Sequence, residues 1–259
     1  MEKHQDFNEN EREPSLQGRR IVHIEHAEAE LTPGKLFLFL FAYFVIPIGV
    51  MIVATVIAVL IDRVFQTNTI NSLGQIQYLS LLELIAFLIT LLIFKSARNY
   101  LQGKFQLQAF KQWQAYLYLI GAYFIVYYAQ YLFNYVLEWE QAGSQVDLFG
   151  LDQIGLDFLN VSLLVIAFVV IAPITEEIVF RGLIFGFIND KLGLATALIV
   201  SSVIFGLLHP GHHFSTAVIG LVLALLYYRT KSIAVPIVFH MIWNALAVYG
   251  LLSLVISGG

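Results

Sequence analysis

The chain has 259 residues, of which 59% are hydrophobic and only 12% charged, with a mean hydropathy of +0.77. An ordinary soluble domain carries about 25% charged residues, so this composition excludes one and describes an integral membrane protein. The small net charge of −4 argues against a nucleic-acid partner, and the absence of cysteine excludes disulfides, thiolate metal sites and a cysteine nucleophile.

Residues 1–35 are polar and of mixed charge, without the short apolar core and small-residue cleavage site of a secretory signal. They read as a retained cytoplasmic tail, largely disordered. Arg19, Arg20 and the neighbouring Ile21, Val22 and Ile24 are either part of that solvated tail or a weakly amphipathic segment on the membrane surface. A membrane-spanning helix needs about 20 apolar residues. In chain order, Leu36–Ile61, Ile76–Phe94 and Trp113–Leu137 meet this need and form a first group over residues 36–155. A second group over 156–256 comprises Leu156–Ile174, Leu192–Leu208, Phe214–Tyr228 and Ile233–Ile256. Between its first two members lies Thr175–Ile188, too short and too charged to cross alone, which either extends a neighbour or forms an eighth, partly embedded helix. The expectation is an all-α polytopic bundle of seven to eight membrane helices around an internal cavity; no alternating strand pattern competes.

Lys and Arg in short loops set the orientation. The tail holds Lys3, Arg12, Arg19, Arg20 and Lys35, the next loop only Arg63, the following one Lys95, Arg98, Lys104 and Lys111, and Glu138–Gly155 none. The N-terminus is therefore expected in the cytoplasm, and Arg181, Lys191, Arg229 and Lys231 extend the same signal. A plain up-and-down path would then carry His209 away from Glu176 and His240, so their meeting requires a broken, tilted or partly inserted helix. Pro173, Pro210-Gly211 and Pro236 are candidate breaks.

Three polar clusters interrupt the second group: Glu176-Glu177-Ile178-Val179-Phe180-Arg181, Phe205 with His209, and His240 with Asn244. An ionisable side chain near the bilayer centre costs about 2.5–3.5 kcal/mol on the insertion scale, which marks such positions as functional candidates. Residues four apart share a helix face, so Glu177 faces Arg181 and Glu176 points elsewhere. Glu176 is then either a free carboxylate able to carry a proton from water to a leaving amine, or one member of a structural ion network. His209, directly before Pro210, belongs at a helix end. There it is either an interfacial residue or an imidazole that orients water at Glu176, with Phe205 as a wall. His212 and His213 are a His-rich surface turn or, alternatively, metal ligands. His240 and Asn244 share a face and are either interhelical glue or two donors for the oxyanion formed when water attacks an amide. Motifs of serine, paired-aspartate and His-Glu-x-x-His proteases are absent; His23-Ile24-Glu25-His26 has the wrong register.

The ordered set Glu-Glu-x-x-x-Arg (Glu176–Arg181), Phe-x-x-x-His (Phe205–His209) and His-x-x-x-Asn (His240–Asn244) resembles the CPBP family of CAAX prenyl endopeptidases and bacterial bacteriocin-processing or abortive-infection-like (Abi) proteins. The resemblance covers about Leu156–Ile256. It implies an all-helical intramembrane endopeptidase of a bacterial cell membrane, with a cavity open toward the cytoplasm and a membrane-associated or lipid-anchored peptide substrate, prenylated or not. Glu176 and His209 would activate the hydrolytic water, His240 and Asn244 would form the oxyanion pocket, and Glu177, Arg181 and Phe205 would support them. The family is commonly called metalloproteases; a zinc ion, if used, would bind Glu176, His209 and His240, and an obligatory metal is not the favoured expectation. Two rivals use the same features: a non-catalytic peptide-binding or immunity protein, and a transporter suggested by the embedded Glu83 and the proline-interrupted helices.

Overall fold

The computed structural model describes residues 30–141 and 143–258. The tail segment around Arg19 and Arg20 and the His23–His26 spacing lie outside these residues. The described chain is helical throughout, with no strand among the described residues. The main helices are α1 (Pro33–Phe65), α2 (Ile76–Ile93), α3 (Lys95–Leu101), α4 (Trp113–Tyr131), α5 (Phe158–Leu192), α6 (Leu194–Leu207), α7 (His213–Thr230) and α8 (Ala234–Gly258).

Local chemistry sets several boundaries. Thr32 caps α1 by accepting from Lys35 N at 3.3 Å, and Pro33 follows at the first helical position, where its missing N–H costs nothing. Asp157 caps α5, accepting from Leu159 N and Asn160 N. Among the described residues, six helices are long and apolar enough to cross a membrane; α6, with 14 residues, is shorter. In place of the expected seven to eight spans, the described residues hold six candidate membrane-crossing helices, with the shorter apolar α6 beside them. Leu156–Ile174 and Thr175–Ile188 are not separate elements but parts of one 35-residue helix, α5.

Pro173 does not break α5. The helix widens into a π turn at Ile166–Ile171 just before it, and into a second at Ile178–Phe185 just after the glutamates. A proline lacks the N–H that an α-helix uses and crowds the carbonyl four residues back, so a local π turn lets the helix pass it.

The spatial meeting of Glu176 and His209 has a simple origin. The α5–α6 hairpin turns at Gly193, whose φ of +83° is open to glycine. Glu176 precedes that turn by about as many residues as His209 follows it, and in an antiparallel pair rising about 1.5 Å per residue such positions come to the same level. The chain then reverses at Pro210-Gly211, where Gly211 has φ +83°, and α7 returns. No helix has to break.

The two ends of the bundle differ in charge. At one end, the loop after α2, the α5–α6 turn and the α7–α8 turn come together: Ile233 N donates to Lys104 O at 2.8 Å, Lys104 Nζ to Gly182 O at 3.1 Å and Tyr100 OH to Asp190 at 2.6 Å. Burial pushes the Lys104 ammonium down to about 8, with nearby Asp190 opposing the shift. This end carries Lys35, Lys95, Arg98, Lys104, Lys111, Lys191, Arg229 and Lys231. The opposite end carries Arg63 with Asp62, Glu138, Glu140, Asp147, Asp152 and Asp157.

Close helix contact holds the core together. Gly206 lies against α7 so tightly that an added Cβ would press on His213 O and sit 2.8 Å from Ala217 Cβ. Small residues of this kind let membrane helices approach where no hydrophobic force drives them together. Gly206→Ala is therefore expected to destabilise the protein by about 1–3 kcal/mol, as overpacking of a filled core does. Thermal unfolding of the purified variant in detergent measures this, and an unchanged midpoint would contradict the packing described.

Candidate active site

Glu177 is fully buried on α5, and its Oε1 accepts from Arg181 Nη1 at 2.7 Å, the i,i+4 pair expected from the spacing. The same oxygen accepts from His240 Nδ1 of α8 at 3.0 Å. Arg181 reaches on to α7, donating from Nη2 to Gly220 O at 3.1 Å, and its guanidinium lies over the Phe205 ring at 4.4 Å. His209 stacks near that same ring, centroid to centroid at 4.4 Å. Four helices are thereby tied through polar and aromatic contacts in an apolar surround.

Glu176 points the other way. Its Oε2 is buried without a protein hydrogen-bond partner, 3.9 Å from His209 Nε2 and 3.8 Å from His240 Nε2. These separations are too long for direct hydrogen bonds and suit groups that share a bridging water. Both imidazoles are oriented from behind. His209 Nδ1–H donates to Phe205 O at 2.6 Å, and His240 Nδ1–H donates to the Glu177 carboxylate. A carbonyl or carboxylate only accepts, so the proton of each neutral ring sits on Nδ1, and Nε2 faces Glu176 with its lone pair.

Asn244 lies one turn beyond His240 and donates from Nδ2 to Phe168 O in the first π turn of α5 at 2.8 Å. The amide keeps a second N–H. Glu176, Phe205, His209, His240 and Asn244 all line one cavity of about 700 Å³, walled further by Tyr123, Tyr127 and Tyr131 of α4 and by Trp243 and Ala247 of α8. The structure thus brings all seven singled-out residues together, five around the cavity and Glu177 and Arg181 behind them. The cavity continues to Gly143, Gln145 and Leu254 at the acidic end of the bundle, not to the basic end that the family resemblance would have it face. Glu176 also lines a second cavity of about 280 Å³ with Tyr43, Pro47, Ser80 and Glu83.

One contributor was missed in the sequence. Glu140, buried in the loop after α4, accepts from Phe214 N at 2.7 Å and Ser215 N at 3.0 Å, so a distant carboxylate caps the start of α7. It also faces His212 Nδ1 at 3.6 Å, while His212 Nε2 contacts Ser144 Oγ at 3.2 Å. These contacts fix the turn that carries His209. Burial lowers the His212 pKa, with Glu140 opposing. His213 instead donates to Gly206 O at 3.0 Å. Neither histidine joins Glu176, and among the described residues no group of three or more side chains is closed to metal-ligand spacing.

Residues 158–246 match the family model described as type II CAAX prenyl endopeptidase Rce1-like. This is a family-level match to the CAAX proteases. The stretch contains every residue of the three polar clusters. Among curated proteins, the chain is 43% identical over 79 residues to YdiL of Bacillus subtilis, provisionally designated a membrane peptidase; the match covers 30% of this chain and 32% of that protein. It is 38% identical over 85 residues to the membrane-embedded CAAX protease MroQ of Staphylococcus aureus, covering 30% of this chain and 34% of that protein. The matches thus span about a third of these relatives' lengths. No solved structure matches the chain. Apolar helices and bacterial relatives together identify an integral, multi-pass bacterial membrane protein.

A buried ion pair is strongly destabilising to break but often neutral to replace as a whole by apolar groups. Arg181→Ala is expected to lower stability by about 3–5 kcal/mol. The double variant Glu177→Met/Arg181→Leu should recover most of that loss in a thermal melt yet remain functionally impaired, because His240 loses the acceptor that orients it. A double variant with wild-type function would contradict this role.

Proposed function

We propose that the protein is an intramembrane endopeptidase that hydrolyses a peptide bond in a membrane-associated peptide or protein, prenylated or not, with water activated by Glu176 and His209. The carrying observation is the buried, partnerless Glu176 Oε2 set between two imidazole Nε2 atoms. Water held there donates one hydrogen to the Glu176 carboxylate and the other to His209 Nε2. Glu176 takes the proton as the water oxygen attacks the carbonyl carbon, and then hands it to the departing amine as the C–N bond breaks. For His240 to donate to the oxyanion, its Nε2 takes up a proton beyond the neutral Nδ1–H form, an imidazolium that the Glu177 carboxylate on Nδ1 would stabilise, and the second N–H of Asn244 completes the pocket. Phe205, fixed between Arg181 and His209, holds the imidazole plane.

The donor chemistry also suits a divalent cation such as zinc, which would be held by Glu176 and by the Nε2 lone pairs of His209 and His240. Such an ion supplies Lewis-acid activation of water.

Glu176→Gln and His209→Ala should each lower cleavage at least about a hundredfold, and Asn244→Ala should cost about 2.7–4 kcal/mol of barrier. Mass spectrometry of membranes carrying wild type or Glu176→Gln would reveal a peptide end formed only by the former. If the cellular role survives both Glu176→Gln and His209→Ala, a binding or immunity protein replaces the enzyme.

A further inference from the structure

We infer that the substrate enters from the extracytoplasmic face, as an extended neutral or basic segment of an exported or membrane-anchored polypeptide. This rests on the endopeptidase reading and adds the side of access. Two independent features of the molecule carry it.

The first is where the cavity is open and where it is shut. From Glu176 and His240 it runs along the outer parts of α4 and α8 to Gly143, Gln145 and Leu254. None of its lining residues comes from the loops at the basic end. Toward that end the site is sealed by a layer of buried side chains, among them Phe180, Leu183, Ile233 and Val235. The seal has no slack: a Cβ on Gly182 would lie 2.5 Å from Leu101 Cδ2 and 3.0 Å from Ile233 Cδ1.

The second is charge. Short loops rich in Lys and Arg stay in the cytoplasm. Lys95, Arg98, Lys104, Lys111, Arg229 and Lys231 all lie at the sealed end, whereas the loop at the open end, 137–157, contains no Lys or Arg. The sealed end is therefore cytoplasmic and the open end extracytoplasmic. Glu138, Asp147 and Asp152 in the loop beside the mouth disfavour an acidic segment. The tyrosines of α4 offer apolar faces and hydroxyls to an extended backbone.

The chain contains no cysteine, so single-cysteine variants report access directly. Gln145→Cys at the mouth, Ala247→Cys on the cavity wall and Lys231→Cys at the sealed end would be treated in intact cells with a charged, membrane-impermeant thiol reagent. Gln145→Cys and Ala247→Cys should react in intact cells, and Lys231→Cys only after permeabilisation. A bulky adduct on Ala247→Cys should also cause loss of the Glu176-dependent peptide end, while one on Lys231→Cys should not. Protection of Gln145→Cys and Ala247→Cys in intact cells, with labelling of Lys231→Cys, would overturn the inference. So would equal labelling of all three. If no Glu176-dependent peptide end is ever formed, the enzymatic reading fails, and the labelling pattern still decides which face the cavity opens to.

Discussion

Glu177 Oε1 accepts from both Arg181 and His240, and much of the site follows from that shared oxygen. A carboxylate buried in the membrane interior needs compensation, and here a guanidinium from its own helix and an imidazole from α8 supply it. The guanidinium is thereby held against Phe205 and the carbonyl of Gly220, which ties α6 and α7 to α5. The imidazole is thereby turned so that Nε2, not Nδ1, faces Glu176. One buried interaction links the packing of the helix cluster to the orientation of the imidazole that the proposed hydrolysis uses.

The backbone serves the same end. Between its two π turns α5 carries Glu176 and Glu177 side by side, and adjacent helical residues point about 100° apart. One carboxylate can therefore face the ion network while its neighbour faces the cavity. The carbonyl of Phe168, in the first π turn, accepts from Asn244. π turns inside α-helices often mark functional sites, and here they accommodate Pro173 and position an acceptor. Glu140 makes an equivalent contribution from the loop after α4 by holding the start of α7, and hence the turn that bears His209.

The helices and the polar clusters were legible because both rest on short-range pattern. Apolar runs located the long helices to within a few residues except α5, which runs to Leu192 where the apolar run was read as ending at Ile174, and the i,i+4 rule correctly paired Glu177 with Arg181 and separated Glu176 from them. The path from Thr175 to His213 was not legible in the same way. The proline positions suggested a break, whereas the chain solves the problem with matched hairpin legs about Gly193, a property of length rather than of any residue type. Glu140 escaped notice because a lone glutamate in a polar loop carries no local sign of the helix it will cap 74 residues later. The tautomers of His209 and His240 depend on which atom lies behind each ring, which only the packed structure supplies. The open end of the cavity likewise depends on how loops from distant parts of the chain assemble.

An experimental structure of the wild-type protein, at a resolution that orders internal water, tests the central geometry most directly. It should show one water or cation in contact with both Glu176 Oε2 and His209 Nε2, with His240 Nε2 turned toward the same point and its Nδ1 on Glu177. Glu176 paired instead with Arg181, or a side chain or lipid tail filling the space between the carboxylate and the imidazoles, would contradict it.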